Sequence, residues 1–221
     1  MQILSKDQDD LLVQERSMLN DLQLALVRFG GSDEDQETLK SSIRQIDDLF
    51  LLVIVGEFNS GKSSFINALI GEKILKEGVT PTTTQINIIR YDTQKKETVL
   101  DAHTLLINAP VEILKEISIV DTPGTNAIIR EHEMITNKFI PRSDLVLFVT
   151  SSDRPLSESE RSFLESIRDW GKKLVIVLNK IDMFQNDEEL LQVKEFIRDN
   201  IQALLQITPE IYPVSSRNAL L

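Results

Sequence analysis

The chain has 221 residues, of which 24 are basic and 35 acidic, so its formal net charge is −11. This length suits one large α/β domain with a small helical addition. The acidic excess argues against a module that binds duplex nucleic acid and against a polybasic membrane anchor. Because the chain has no cysteine, disulfides and thiolate nucleophiles or metal ligands are excluded. The longest apolar run is Leu49–Val55, whereas a membrane span needs roughly 20 residues, and residues 1–7 lack the pattern of a secretory signal, so we expect a soluble, cytoplasmic domain.

Two amphipathic helices are predicted before any strand. Ser5 begins a capping-box pattern, and the apolar residues after it recur at helical spacing as far as Gly30 and Gly31. Ser32 precedes a run of acidic residues and predicts the start of a second helix, because carboxylates stabilise the positive end of a helix dipole. We therefore assign residues 1–48 to a separate helical segment whose apolar stripes need a partner surface.

From residue 49 onward, short β-rich runs alternate with helical stretches. The predicted strands are 49–55, 85–91, 117–120, 145–150, 173–179 and 211–214, with weaker strands within 97–107. Helices are predicted to begin near Lys62, Ser157 and Asp187. Nearly continuous Val, Ile and Leu runs between helices are typical of a mostly parallel sheet with helices on both faces, so we assign residues 49–221 to one α/β domain.

The sequence GEFNSGKS begins at Gly56 and matches the phosphate-loop motif G-x-x-x-x-G-K-[ST] directly after a predicted strand. In this motif backbone N–H groups surround the phosphates, Lys62 reaches the outer two, and the Ser63 hydroxyl ligates Mg²⁺. The following helix contributes its positive end. A structural turn with a surface lysine is a weak alternative, since a chance match arises on the order of once in a hundred chains of this length. The residues predicted to bind phosphate are Gly56, Asn59, Ser60, Gly61, Lys62, Ser63 and Ser64.

A second motif, DTPG, begins at Asp121 and ends a predicted strand. There Asp121 can hold Mg²⁺ through water, and the N–H of Gly124 can contact a γ-phosphate. The segment PTTT, between these motifs, is expected to sense the same phosphate. We expect Thr83 to ligate Mg²⁺ through its hydroxyl and to orient the attacking water through its carbonyl. For Thr82 and Thr84, a threonine-rich start of a strand without a ligand is a fair interpretation.

A third motif, NKID, begins at Asn179 after another predicted strand. The Asp182 carboxylate can accept hydrogen bonds from N1–H and the exocyclic amine of guanine, a pairing that adenine cannot reproduce. Asn179 would bridge back to the phosphate loop, and the stem of Lys180 would cover the purine. Ser215 and Ser216 would complete the site through a backbone N–H to guanine O6. In this order the motifs predict that the ligand is GTP or GDP rather than ATP.

The catalytic apparatus is incomplete by comparison with small GTPases, which place a glutamine after this DxxG motif. Thr125 occupies that position, and neither Arg90 nor Arg130 is an obvious arginine finger. An amide at the position of Asn59 can ligate K⁺ or Na⁺ beside the phosphates, where the cation would neutralise developing charge, but Asn59 could equally well only cap the loop. We expect slow hydrolysis by the lone domain and completion by homodimerisation across the nucleotide face. The expected catalytic residues are Thr83, Lys62, Asn59 and Gly124.

Longer segments resemble the GTPase domain of bacterial dynamin-like proteins, most of all the fuzzy-onions-like branch of chloroplasts and cyanobacteria, with mitofusins more distant. They are GEFNSGKSSFINALIG, PTTT, VDTPGTN, FIPRSDLVLFVTSSDRPLSESE, LNKID and YPVSSR. The resemblance covers residues 50–220 and implies a GTPase that dimerises and remodels, fuses or severs membranes, with residues 1–48 as part of a helical bundle or neck. Thr83 would then be the switch threonine of the mitofusin pattern. The full-length protein would be peripheral to a membrane, with lipid bound by parts absent from this chain and no nucleic-acid partner.

One departure and two alternatives remain. In conventional dynamins the third position of the phosphate loop is a glutamine that helps to hold water, but here it is Phe58, so a mechanism that depends on that amide does not transfer. A soluble regulatory GTPase of the potassium-activated group shares the loop pattern, although the upstream helices and the lack of a basic patch argue against it. A nucleotide-gated scaffold with little turnover is the third candidate; Thr83 and Asp121 argue against it because they retain the magnesium and water apparatus.

Overall fold

The computed structural model describes residues 6–47, 50–77, 85–124 and 135–220. The chain divides into two units, Met1–Phe50 and Leu51–Leu221. Within the described ranges, no helix combines the length and the apolar character that crossing a membrane requires.

The N-terminal unit consists of two helices in mutual contact, α1 (Lys6–Arg28) and α2 (Asp33–Asp47), which confirms the two predicted helices. After α1 the chain turns at Gly30, whose φ of 70° favours glycine, and the N–H of Gly31 donates to Leu26 O at 2.8 Å. The Ser32 hydroxyl caps α2 by accepting from the N–H of Asp35 at 3.1 Å. Local sequence signals therefore fix both ends of this helix-to-helix turn.

The second unit is built on an eight-stranded sheet. Its strands are β1 (Leu51–Val55), β2 (Ile86–Tyr91), β3 (Lys96–Asp101), β4 (Thr104–Ala109), β5 (Ser118–Asp121), β6 (Leu145–Ser151), β7 (Leu174–Asn179) and β8 (Glu210–Pro213). They lie in the order β3-β4-β2-β5-β1-β6-β7-β8. Five neighbouring strand pairs are parallel, and the antiparallel pairs are β2 with β5 and β3 with β4. This arrangement confirms the mostly parallel sheet expected from the sequence.

Three helices of this unit begin close to their predicted starts at Lys62, Ser157 and Asp187, and a short helix follows the last strand. They are α3 (Lys62–Ile70), α4 (Glu158–Arg168), α5 (Asp187–Leu205) and the short α6 (Ser216–Ala219). Single helical turns lie at Glu112–Lys115, Ile135–Phe139, Ile140–Arg142 and Ile181–Met183. Ser157 caps α4 with the complete capping box that the sequence predicted, in which Glu160 returns a side-chain bond.

The core covers the central strands on both faces. Val53 of β1 packs in one cluster with Phe163 of α4 and Ile197 of α5. Ile54, which alternates with Val53 and so points to the opposite face, is equally buried. The helix α3, which follows β1, contacts β5, and its fully buried Ile66 lies outside the cluster that contains Val53. Double coverage explains why the central strands read as continuous apolar runs.

Candidate nucleotide site

Three predicted motifs lie at one edge of the sheet, where the parallel strands β1, β5 and β7 end. The phosphate loop leaves β1 at Gly56, Asp121 is the last residue of β5, and Asn179 is the last residue of β7. Because the carboxyl ends of parallel strands share an edge, three segments far apart in sequence meet there. This edge of an α/β sheet is where ligands bind in such folds.

Two glycines permit the close approach of these segments. Gly61 has a φ of 88°, and a Cβ at this position would collide with the side-chain nitrogen of Asn179. A Cβ at Gly124 would collide with the backbone of Phe58, so the DTPG segment lies directly against the phosphate loop. The glycines of the two motifs are therefore required by packing as well as by the expected approach of phosphate.

Lys62 is buried inside the phosphate loop. Its Nζ donates to the carbonyls of Gly56 at 3.0 Å and Glu57 at 2.9 Å. Burial lowers the pKa of Lys62, while the nearby charges of Asp121, Glu160 and Glu57 act in the opposite direction. The ammonium group is thus held at the centre of the loop, surrounded by acceptors and acidic groups.

Asp121 is fully buried beside this lysine. Burial raises the pKa of its carboxyl to about 6, although Lys62 and hydrogen bonds from Asn87 and Ser63 lower it. The Asn87 amide donates to Oδ2 at 3.3 Å, whereas Oδ1 has no hydrogen-bond partner within the described part of the chain. Asp121 and Ser63, both predicted to hold Mg²⁺, therefore lie together and offer hard oxygen donors.

The remaining residues of the loop differ in their surroundings. The Ser64 hydroxyl donates to Glu77 Oε2 at 2.6 Å, which leaves its backbone N–H for the predicted phosphate contact. The Ser60 hydroxyl is buried and makes no hydrogen bond to any described residue. Asn59 is exposed in a left-handed conformation with a φ of 63° and lines the cavity described below.

Asn179 joins the predicted phosphate and guanine segments. Its Nδ2 donates to the carbonyls of Ser60 at 3.2 Å and Gly61 at 3.3 Å, which is the bridge to the phosphate loop expected from the sequence. Its Oδ1 accepts from the N–H of Lys180 at 2.8 Å and from the N–H and hydroxyl of Ser216 at 3.1 and 2.9 Å. One buried amide therefore holds three segments together.

Asp182 and Ser215 form the outer part of the predicted guanine site. The Ser215 hydroxyl donates to Asp182 Oδ1 at 2.6 Å and accepts from the N–H of Asn218 at 3.3 Å. Lys180 has a φ of 62° and its Nζ lies 3.4 Å from an Asp153 carboxylate oxygen. Asp182 is exposed, so its carboxylate can be reached by a base.

A cavity of about 620 Å³ connects the two halves of the site. A volume of this size suits a ligand such as a nucleotide. The lining residues are Asn59, Gly61, Ser64, Lys73, Glu77, Asn179, Lys180, Asp182, Met183, Ser216, Arg217 and Leu220. Residues predicted from separate motifs thus line one space.

Some residues around the site were missed by the sequence analysis. Glu77 accepts from Ser64 and, through Oε1, from the Asn67 amide at 2.7 Å, and no sequence pattern pointed to this contact. Glu160 accepts from the N–H of Glu57 at 3.2 Å; its capping-box position was visible in the sequence, but its contact with the phosphate loop was not. Thr83, together with its neighbours in 78–84, lies outside the described residues, so its predicted role stays a prediction.

A family model described as 50S ribosome-binding GTPase matches residues 51–180. Among curated relatives, the probable transmembrane GTPase FZO-like, chloroplastic, of Arabidopsis thaliana is 42% identical over 222 residues, covering 97% of this chain and 24% of the relative. The bacterial dynamin-like protein of Nostoc punctiforme is 26% identical over 193 residues, covering 66% of this chain and 28% of the relative. The chain therefore spans less than a third of the length of either protein.

A solved structure from a study of an oligomerised bacterial dynamin pair, which senses and tethers membranes over a long range, has a similar fold. The TM-score is 0.66 at 21% sequence identity, and the match covers 100% of this chain and 40% of the other. At that identity the likeness concerns the fold alone.

Proposed function

Because the chain belongs to the family described as 50S ribosome-binding GTPases and is a dynamin-like GTPase domain, we propose that dimerisation stimulates its Mg²⁺-dependent hydrolysis of GTP. We propose further that this hydrolysis is coupled to membrane remodelling in the full-length protein. The resemblance to dynamin-like proteins that the sequence predicted is confirmed. The site assignment is supported above all by Asn179, which bonds to the phosphate loop and to Ser216, two segments that line one cavity.

In the proposed mode of binding, the base lies beside Asp182 and the phosphates lie in the loop that ends at Lys62. The accessible Asp182 carboxylate supports a pairing with guanine N1–H and the exocyclic amine, and the Ser215 hydroxyl orients that carboxylate. The backbone N–H of Ser215 would bind O6, whereas that of Ser216 already donates to Asn179 Oδ1 and so places Ser216 beside the base. Titration calorimetry with GTP and ATP tests this assignment, since equal affinities for the two nucleotides would contradict it.

The residues present fit a magnesium ion held jointly with phosphate oxygens. Among the described residues there is no cluster of three or more acidic or histidine side chains that could hold a metal by itself. Ser63 would ligate the ion directly, Asp121 would hold it through water, and we propose Thr83 as a further ligand. When bound, Mg²⁺ would neutralise charge on the outer phosphates. The chain itself would hold the phosphates through Lys62 and the N–H of Gly124.

We propose that a second copy of the chain completes catalysis across the nucleotide face. The position after DTPG is Thr125 rather than a glutamine, so the charge and water positioning needed for fast hydrolysis must come from elsewhere. A trans residue from the partner copy is one source, and K⁺ or Na⁺ ligated by Asn59 is another. The oligomerised dynamin pair of similar fold supports the first source. Sedimentation with GDP and aluminium fluoride, in K⁺ and in Na⁺, tests both.

Membrane remodelling is proposed for the full-length protein, which we expect to be cytoplasmic and peripheral to a membrane. The names of similar proteins support a role at a membrane, since one relative is called a transmembrane GTPase and one solved structure comes from a study of membrane tethering. Lipid contacts would come from regions outside this chain. Co-sedimentation of the full-length protein with liposomes is the test, and failure to bind any lipid composition would contradict the proposal.

A soluble, potassium-activated regulatory GTPase is the second candidate. The family description, which names ribosome binding, and the position of Asn59 at the cavity favour it. The formal net charge of −11 opposes binding to ribosomal RNA, because the RNA backbone is itself anionic. Co-sedimentation of the full-length protein with ribosomes, set against liposomes, distinguishes the two candidates.

A further inference from the structure

Glu160, in the first turn of α4, contacts the phosphate loop at Glu57, although the two residues are 103 positions apart in the sequence. Its carboxylate is buried and accepts three hydrogen bonds from protein donors. Oε1 accepts from the N–H of Glu57 at 3.2 Å, while Oε2 accepts from the N–H of Ser157 and the hydroxyl of Thr150, each at 3.1 Å. The Ser157 bond belongs to the helix cap, but the Glu57 bond does not.

Two side chains form hydrogen bonds with the peptide groups of Glu57, one with its N–H and one with its carbonyl. Glu160 accepts from its N–H at 3.2 Å, and Lys62 donates to its carbonyl at 2.9 Å. Glu57 is the second residue of the phosphate loop, so these contacts fix the first half of the loop as it leaves β1. A loop that already has its binding shape loses less conformational entropy when phosphate arrives.

The charge of Glu160 also acts on Lys62. It is one of the three acidic groups that favour the charged form of this lysine against burial. Burial raises the pKa of Glu160 itself to about 7, and the three donors oppose that shift by stabilising the carboxylate. At pH 8 the side chain is therefore mostly ionised and able to accept all three bonds.

We propose that Glu160 is a positioning residue for the phosphate loop: its carboxylate holds the Glu57 peptide in the shape that receives the nucleotide phosphates and supports the charge of Lys62. This role goes beyond helix capping. It assigns to α4, which supplies no residue to the cavity, a direct contribution to nucleotide affinity.

Two variants and a matched control test the proposal at pH 8. Glu160→Ala removes every acceptor, whereas Glu160→Gln keeps the shape but offers one acceptor oxygen to the two N–H groups. Ser157→Ala removes the hydroxyl that caps α4 and leaves Glu160 facing Glu57. It therefore weakens the same helix without touching the loop. The readouts are the dissociation constants for Mg·GTP and the exchange rate of the Glu57 amide proton.

We expect Glu160→Ala to weaken GTP binding by roughly tenfold, corresponding to the loss of one strong hydrogen bond, and to speed exchange of the Glu57 amide by a similar factor. Glu160→Gln should lie between Glu160→Ala and the unaltered chain, and Ser157→Ala should change both values less than twofold. If the Glu160 variants match Ser157→Ala in both readouts, Glu160 only caps the helix and the proposal is wrong. Failure of the unaltered chain to bind GTP would instead overturn the nucleotide site itself.

Discussion

At the scale of single residues, Asn179 and Asp182 belong to one motif but have different structural and binding roles. Asn179 is buried and donates or accepts five hydrogen bonds to three segments of the chain. Asp182, three positions later, is exposed and bonds to Ser215. Within NKID, Asn179 therefore holds the segments of the site together, whereas the Asp182 carboxylate is accessible to a ligand.

This division predicts different outcomes for two alanine substitutions. Asn179→Ala leaves several buried groups of the backbone without partners, so we expect it to lower the free energy of unfolding by about 2–4 kcal/mol. Asp182→Ala should change that free energy by no more than about 0.5 kcal/mol while abolishing the preference for GTP over ATP. Urea denaturation and calorimetry measure the two effects. Equal loss of stability in both variants would contradict the assignment.

Glu160 predicts a pH dependence of stability. Its carboxyl has a pKa of about 7 in the folded chain, above the usual value of 4.5. A group with a raised folded pKa stabilises fully below its unfolded pKa, and this contribution is lost as the pH rises through the folded pKa. The Glu160→Gln variant cannot ionise, so its stability relative to the unaltered chain should rise between pH 5 and pH 8, by roughly 1–3 kcal/mol.

Urea denaturation at both pH values gives that difference directly. Comparing the two proteins at each pH cancels the other titrating groups, which are common to both. A stability difference that is the same at pH 5 and pH 8 would show that the folded chain does not raise this pKa.

At the scale of elements, the contact between the DTPG segment and the phosphate loop depends on Gly124. A side chain at this position would meet the backbone of Phe58, so the two segments could not keep their spacing. We expect Gly124→Ala to weaken binding of GTP more than binding of GDP, because the N–H of Gly124 is proposed to contact the γ-phosphate. The affinities for the two nucleotides give the measurement.

Gly71→Ala is the matched control. Gly71 ends α3 with a φ of 79° and no atom within 4 Å of an added Cβ. Alanine there costs about 1 kcal/mol of backbone strain without altering the site. If both variants lower the affinities for GTP and GDP equally, the specific role of Gly124 is ruled out.

Most elements could be predicted because their signals are local. The central strands show as apolar runs, and capping residues mark the starts of α2 and α4. The prediction of strands within 97–107 was weaker because β3 lies at the sheet edge and its side chains are mostly exposed, so burial imposes no clear apolar pattern on its sequence.

The site could be predicted in part for the same reason. Its motifs are short and contiguous, so the sequence alone predicted Lys62, Asp121 and Asn179, which the structure brings to one edge of the sheet. The contact between Glu57 and Glu160 joins residues 103 positions apart, and the bond between Asn67 and Glu77 depends on how the chain returns to α3. Such contacts arise from packing and leave no periodic or local signal.

At the scale of the whole molecule, the proposed dimer predicts that turnover depends on concentration. If a second copy supplies the missing catalytic group, hydrolysis per molecule should rise with protein concentration until the dimer is saturated. If a cation at Asn59 supplies the charge, replacing K⁺ by Li⁺ should lower the rate, and Asn59→Ala should remove that difference. Steady-state phosphate release measures both dependences. Turnover per molecule that is constant with concentration and indifferent to the cation would contradict both sources.

The bonds made by Asn179 have a further consequence for how the molecule could report its nucleotide state. They link the loop that receives phosphate to the segments that meet the base, and every one of them joins two protein atoms. This side of the site should keep one geometry whether two phosphates or three are present. We therefore expect a response to the third phosphate to begin on the other side of the site, where the DTPG segment lies against the phosphate loop. The domain would then have one fixed side and one that changes with the nucleotide.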